Sequence, residues 1–228
     1  FYRSDIDGLR AVAVLSVVIF HIFPLAIPGG FIGVDIFFVI SGFLITGNII
    51  KSSESNTFSY RDFYRKRMGR ILPALTAVIF GTLLIGHFLL LSDDFYELIS
   101  SAVASQISLA NFYFAFFLDS DYFADDSALQ PLLHIWSLGV EEQFYFIWPA
   151  FLVMLFAKIS YRASLLGISC LVVISTFIGE YYLIESPMVS YYMLPSRMGE
   201  LLAGALVFYF LRATTWRGNI WFGQFIGG

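Results

Sequence analysis

Charge is what this sequence has least of. Only 13% of its 228 residues are Asp, Glu, Lys or Arg, about half the share usual in soluble domains. The net charge of −4 provides no basic surplus for a polyanion, so no nucleic-acid partner is expected. Cysteine is almost absent. Cys170 alone, in the apolar run SLLGISCLVVIST, cannot form an internal disulfide or a Cys-based metal site; it reads as lipid- or helix-facing filler, and no bound metal is expected. No small-residue cleavage site follows the first apolar run, which is therefore read as a retained helix rather than a signal peptide. Internal repeats, low-complexity tracts and linkers that would mark a second domain are also missing.

Apolar side chains are abundant. They make up 58% of the chain, including 26 Phe and 13 Tyr, and mean hydropathy is +0.78. A water-soluble core of this length cannot hide such a load, and several runs approach the ~20 residues that cross a bilayer. The expected fold class is all-α, a polytopic transmembrane helical bundle. Six spans can be drawn, at about 9–25, 31–50, 71–91, 132–157, 163–182 and 197–212. Pro28-Gly29-Gly30 between the first two leaves room only for a tight hairpin. Pro73 is placed in the first turn of the third span, where proline is tolerated. The closing WFGQFIGG has the look of another span beginning, so the chain reads as truncated.

Basic residues orient these spans. Segment 51–70 holds six of the thirteen Lys and Arg, whereas 71–132 has none and carries seven acids. Basic loops belong in the cytoplasm and acidic ones outside, which puts the N-terminus in the cytoplasm. Segment 95–117 is long and apolar enough to cross, but crossing would reverse the charge rule on both sides of it. It is therefore expected to be one re-entrant or interfacial helix, and its Ser, Gln and Asn suit contact with protein or water.

Ionisable groups inside apolar spans are expensive and so are candidate functional residues. Arg10 and His21 lie eleven residues apart in the first span, on one helix face and roughly 16 Å apart along the axis. Arg10 reads either as a snorkelling anchor or as part of a site; His21 reads either as a packing hydrogen-bonder or as a base. Asp35, just after the hairpin, either caps its helix or orients a neighbour such as His21. In the fourth span His134, Ser137, Glu141, Tyr145 and Trp148 share a helical spacing, and Glu142 lies about 100° round from Glu141. This set is either a packing network or a site. Arg197 and Glu200 are an i,i+3 pair at the start of the sixth span. In YRKRMGR, Arg67 and Arg70 fall on one face with Arg65 and Lys66 nearby. These are either positive-inside anchors or a phosphate clamp, since arginine pairs bidentately with phosphate oxygens.

The ordered set FYRSDIDGLRAVAVLSVVIFH, PGGFIGVDIFFVISGFLITG, RKRMGRILPAL, LSDDFYELISSAVASQISLANFYF, LLHIWSLGVEEQFYFIWP and YYMLPSRMGELLAGA resembles the acyltransferase family 3 membrane proteins of the O-antigen acetylase type. The resemblance covers nearly the whole chain and makes it the N-terminal two-thirds of one membrane acyltransferase domain, residues 1–228. It implies a bacterial inner-membrane enzyme that takes an acyl group, usually acetyl, from acyl-CoA at the cytoplasmic side. The acceptor implied is a carbohydrate hydroxyl of a surface glycan such as lipopolysaccharide O-antigen, or a lipid-linked oligosaccharide. Membrane lipid and a periplasmic SGNH-type domain or protein are the other implied partners. The family's Arg-x10-His signature falls on Arg10 and His21, and its Arg-x-x-Arg signature on Arg67 and Arg70.

On this reading Arg67 and Arg70, with Arg65, hold the CoA phosphates, and His21 is general base or transient acyl carrier. Glu141 or Asp35 orients His21, and Arg10 steadies the pantetheine arm or the developing oxyanion. The rival is a transporter or flippase for a lipid-linked or acylated glycan. Such proteins usually carry inverted repeats, and none is found here.

Overall fold

The computed structural model describes residues 4–117, 130–153 and 160–216. Among them every regular element is helical. In chain order these are α1 (Ser4–Ile22), α2 (Gly33–Glu54), α3 (Tyr60–Leu89), α4 (Ser92–Gln106), α5 (Ala110–Phe116), α6 (Trp136–Phe151), α7 (Tyr161–Glu185), α8 (Pro187–Tyr192) and α9 (Leu194–Trp216). Short 3-10 turns precede α2 and α6.

Four stretches among the described residues are long and apolar enough to cross a bilayer: Gly30–Glu54, Tyr60–Leu89, Tyr161–Glu185 and Pro187–Ala213. They correspond to the second, third, fifth and sixth expected spans. The first forms α1, whose 19 residues include Asp5, Asp7 and Arg10. The fourth forms α6, whose 16 residues rise only about 24 Å; its expected continuation over 154–157 lies outside the described residues. The acidic stretch 119–126, Lys158 and WFGQFIGG also lie outside them. The chain is a multi-pass α-helical membrane protein.

Two expectations are corrected by the helix boundaries. Pro73 is not in a first turn, because α3 begins at Tyr60 and runs through it. The cytoplasmic-type segment YRDFYRKRMGR is itself helical. Ser59 caps it by accepting the Asp62 N–H at 3.4 Å, a signal written as S-x-x-D just before the run. The second correction concerns 95–117, which is two helices rather than one. α4 and α5 are separated at Ile107–Leu109, where Ser108 has a φ of 60°. A non-glycine residue in the left-handed region ends a helix rather than continuing it.

The chain divides into two compact units. The first comprises Phe1–Lys51, Leu152–Val173 and Gly199–Gly228. Here the expected hairpin folds α1 against the start of α2. A Cβ on Gly30 would meet the Ser16 carbonyl and Phe20, and one on Gly33 would meet the Ala13 carbonyl and Val17. Two glycines three residues apart thus let the chain lie directly on the α1 backbone. Further along α2, Gly42 lies against the Leu201 carbonyl and Gly204 against the Val39 carbonyl, so α2 and α9 cross backbone to backbone. Phe38, Ile45, Ile49, Leu201, Leu202 and Ala205 are buried around this crossing.

The second unit comprises Ser52–Phe151 and Ile174–Met198. Leu98, Phe114, Trp136, Phe144, Tyr145 and Tyr192 form its core. A polar knot runs through it. The fully buried Asn111 accepts from Gln143 Nε2 at 2.7 Å and donates to the Tyr192 carbonyl at 3.2 Å. Gln143 also donates to the Ser108 carbonyl at 3.1 Å, which satisfies backbone released by the α4–α5 break. Gly139 lets α6 approach that break, its missing Cβ facing Asn111 Oδ1 and the Ser108 carbonyl.

Candidate active site

The sequence-predicted residues fall into two local groups. In the first unit, α1 carries both Arg10 and His21. His21 is exposed, and its Nδ1 lies 2.8 Å from the Val17 carbonyl oxygen. A carbonyl only accepts, so Nδ1 carries a proton, and in the neutral ring the lone pair is on Nε2. The ring is further set by an edge-to-face contact with Phe20, 5.4 Å between centroids. Nδ1 is thus oriented by backbone of the histidine's own helix. Arg10 lies 3.9 Å from Asp7 one turn earlier, with both side chains well exposed; such a pair contributes little stability. Asp35 stands in the first turn of α2, where the helix dipole favours a carboxylate.

In the second unit the basic segment of α3 meets α6. Arg67 Nε is 3.7 Å from Glu142 Oε1, and the two side chains are 22% and 21% exposed. Both of those atoms are buried and lack a hydrogen-bond partner. The guanidinium also sits 3.6 Å from the ring centroid of Tyr145, a side chain only 1% exposed. The Tyr145 hydroxyl donates to Glu141 Oε2 at 3.0 Å, one helical turn back. One turn before Arg67, the Tyr64 hydroxyl donates to the Phe146 carbonyl at 2.9 Å and lies 3.4 Å from that of Tyr145. Pro149 accounts for the contact to the Tyr145 carbonyl: it has no N–H for the carbonyl four residues earlier, and in an apolar setting a freed carbonyl needs another donor.

The arginines expected to act as one clamp are in different surroundings. Arg67 is packed against α6. Arg70 is exposed, and Arg65 is 74% exposed in a 3.2 Å pair with Asp62. An open, almost wholly apolar groove of about 620 Å³ runs along α3 past Tyr64, Met68, Leu72 and Pro73, with Arg61 and Arg65 beside it; neither Arg67 nor Arg70 lines it.

The whole of this arrangement lies within one sequence pattern, the acyltransferase domain, whose family model matches residues 3–226. The chain belongs to that family. It is 38% identical over 209 residues to a Bacillus subtilis (strain 168) protein named "Putative peptidoglycan O-acetyltransferase YrhL", covering 89% of this chain and 32% of that one. It is 40% identical over 154 residues to peptidoglycan O-acetyltransferase OatA of Listeria monocytogenes, covering 67% and 24% respectively. The chain therefore spans about a third or less of the length of these relatives. No solved structure matches it.

Within this acyltransferase domain, other predicted positions have structural surroundings. His134 is exposed in the 3-10 turn before α6, so it does not continue the helical face of Glu141 and Tyr145. Arg197 donates from Nε to the Tyr191 carbonyl at 3.0 Å and lies against the Tyr191 and Trp136 rings. That contact caps the C-terminal end of α8, as a basic side chain often does. Glu142 and Tyr64 were missed as partners of the arginine segment. The doubled carboxylate of VEEQFY and the four-residue interval from Tyr145 to Pro149 were the available signals.

Proposed function

We propose that this chain is the membrane-embedded part of an O-acyltransferase that moves an acetyl group from acetyl-CoA, or another acyl-CoA, to a carbohydrate hydroxyl of a bacterial surface glycan. The observation that carries the reading is the state of His21. Its Nδ1–H is committed to the Val17 carbonyl, which makes Nε2 the basic nitrogen of an exposed imidazole. His21 takes the proton of the attacking hydroxyl and returns it to the departing thiolate. Arg10, about three turns nearer the N-terminus of the same helix, is too far along the axis to meet an oxyanion formed at His21 and is assigned to the pantetheine arm of the donor.

Arg65, Arg67 and Arg70 are assigned to the phosphates of the acyl-CoA, with support from the exposure of Arg65 and Arg70. Among surface glycans, the names of the relatives favour peptidoglycan over O-antigen. The basic 51–70 segment supports an inner-membrane protein with a cytoplasmic N-terminus, and an SGNH-type domain or protein fits as the periplasmic partner.

The test is mass spectrometry of wall peptidoglycan and other surface glycans from cells with and without the intact full-length protein. Loss of ester-linked acetyl groups is expected. Unchanged acetylation of every surface glycan fraction, with a glycan retained at the inner membrane, would instead identify a transporter.

A further inference from the structure

Arg67 is the most constrained cation in the basic segment, and the constraint comes from α6. The Tyr145 ring lies beneath its guanidinium carbon at 3.6 Å, and Tyr145 is itself buried and tied to Glu141. Glu142 faces Nε at 3.7 Å, inside ion-pair distance but beyond a hydrogen bond. Nε is buried while 22% of the side chain remains exposed, so the exposure falls on the rest of the side chain. A guanidinium has five N–H donors in a planar fork. The ring beneath its carbon and the carboxylate facing Nε together restrict how that fork can turn. The Tyr64 hydroxyl, bonded to the Phe146 carbonyl, holds the preceding turn of α3 on the same stretch of α6.

We propose that Glu142 is a positioning residue for donor binding. It acts through Arg67, holding the guanidinium so that its terminal nitrogens meet a phosphate of the acyl-CoA as a preset fork. The proposal rests on the reading that this segment binds acyl-CoA, and it assigns Arg67 and Arg70 different parts. Arg67 is preorganised by α6, whereas Arg70 is an exposed side chain that orders only on binding. A preset donor loses less side-chain entropy when the ligand arrives.

The test uses the full-length protein with acetyl-CoA as the probe, measuring Kd, kcat and KM for the donor. Arg67→Ala is expected to raise Kd by a factor of about 10 or more, the scale of one lost charged hydrogen bond. Glu142→Gln, nearly isosteric, is expected to raise Kd and KM about 5- to 20-fold with kcat within about twofold. In the Arg67→Ala background the same change is expected to have no further effect, because the two residues act as one unit. If Glu142→Gln is poorly inserted, Glu142→Asp keeps the charge and shifts it by one methylene; an intermediate Kd is expected. Wild-type Kd in the Glu142 variants, while Arg67→Ala weakens binding, would overturn the positioning role alone. A lower Kd in Glu142→Gln would overturn it too, by showing that the carboxylate competes with the donor. Unchanged Kd in Arg67→Ala, in Arg70→Ala and in the double variant would remove the acyl-CoA reading of the segment itself.

Discussion

Gly204 of α9 lies so close to the Val39 carbonyl of α2 that a methyl group has no room between them. Gly42 stands in the same relation to the Leu201 carbonyl, and Gly47 faces the Phe208 ring. Without water to drive apolar surfaces together, membrane helices associate through close packing of small residues. This crossing is the α2–α9 version of that rule, and it anchors α2 within two turns of Asp35 in its first turn.

Gly204→Ala and Gly42→Ala are each expected to destabilise the protein by about 1–3 kcal/mol or more, the usual cost of overpacking. Nothing lies within 4 Å of a Cβ built on Gly81. Gly81→Ala is therefore expected to be neutral or stabilising by up to about 1 kcal/mol, from helix propensity. Thermal stability of purified protein in detergent checks all three. Equal melting of Gly204→Ala and Gly81→Ala would show that α2 and α9 are not in backbone contact.

Asn111→Leu should cost about 2–4 kcal/mol. The change leaves the Gln143 amide and the Tyr192 carbonyl short of partners inside a buried knot, and unmatched buried polar groups each cost about 1–3 kcal/mol. Pairing it with Gln143→Leu should cost less than the sum of the single changes, since each removes the other's orphan. Chemical or thermal denaturation of the two single variants and the double variant measures the coupling; strict additivity would mean that the amides do not interact.

His21→Gln is expected to abolish glycan acetylation while expression and acetyl-CoA affinity persist. Glutamine can still donate to the Val17 carbonyl through its amide, but it offers no basic nitrogen in place of Nε2. Acetyl release from purified wall, read beside acetyl-CoA binding, is the check. Near-normal acetylation in this variant would make His21 a packing residue and return attention to Glu141.

A reporter fused after Ser53 is expected to read cytoplasmic, and one fused after Asp121 periplasmic. Ser53 precedes the basic N-terminal turns of α3, and Asp121 lies in the acidic stretch. Opposite readings would reverse the orientation and detach Arg65, Arg67 and Arg70 from any cytoplasmic donor.

Much of the candidate site's local geometry was visible before the fold because its spacing is local. Eleven residues on one helix put Arg10 and His21 on one face whatever surrounds them, and α1 is indeed continuous from Ser4 to Ile22. The Pro28-Gly29-Gly30 hairpin was equally legible, since two long apolar runs with so short a join can only turn back. Its reason was not: Gly30 and Gly33 are needed because the α1 backbone occupies the space of their side chains, a fact about a neighbour rather than about a turn. Residues 95–117 were legible as a segment unsuited to a plain crossing, but the break at Ser108 was not. Its left-handed backbone is held by Gln143 from α6, 35 residues away in sequence.

Composition and hydropathy by themselves determined the class of this protein, because a bilayer admits few solutions to so much apolar side chain and so little charge. Ordered motifs determined its family. Tertiary structure alone decided the partner of Arg67. Glu141 and Glu142 are adjacent and chemically identical, and they point about 100° apart on α6; only the rotation of α6 against α3 turns Glu142 to the arginine and leaves Glu141 to Tyr145. That rotation is held by the Tyr64 hydroxyl on the Tyr145 and Phe146 carbonyls and by the Tyr145 ring under Arg67, contacts between residues about 80 positions apart. Periodicity along one helix contains no information about the angle at which a second helix meets it.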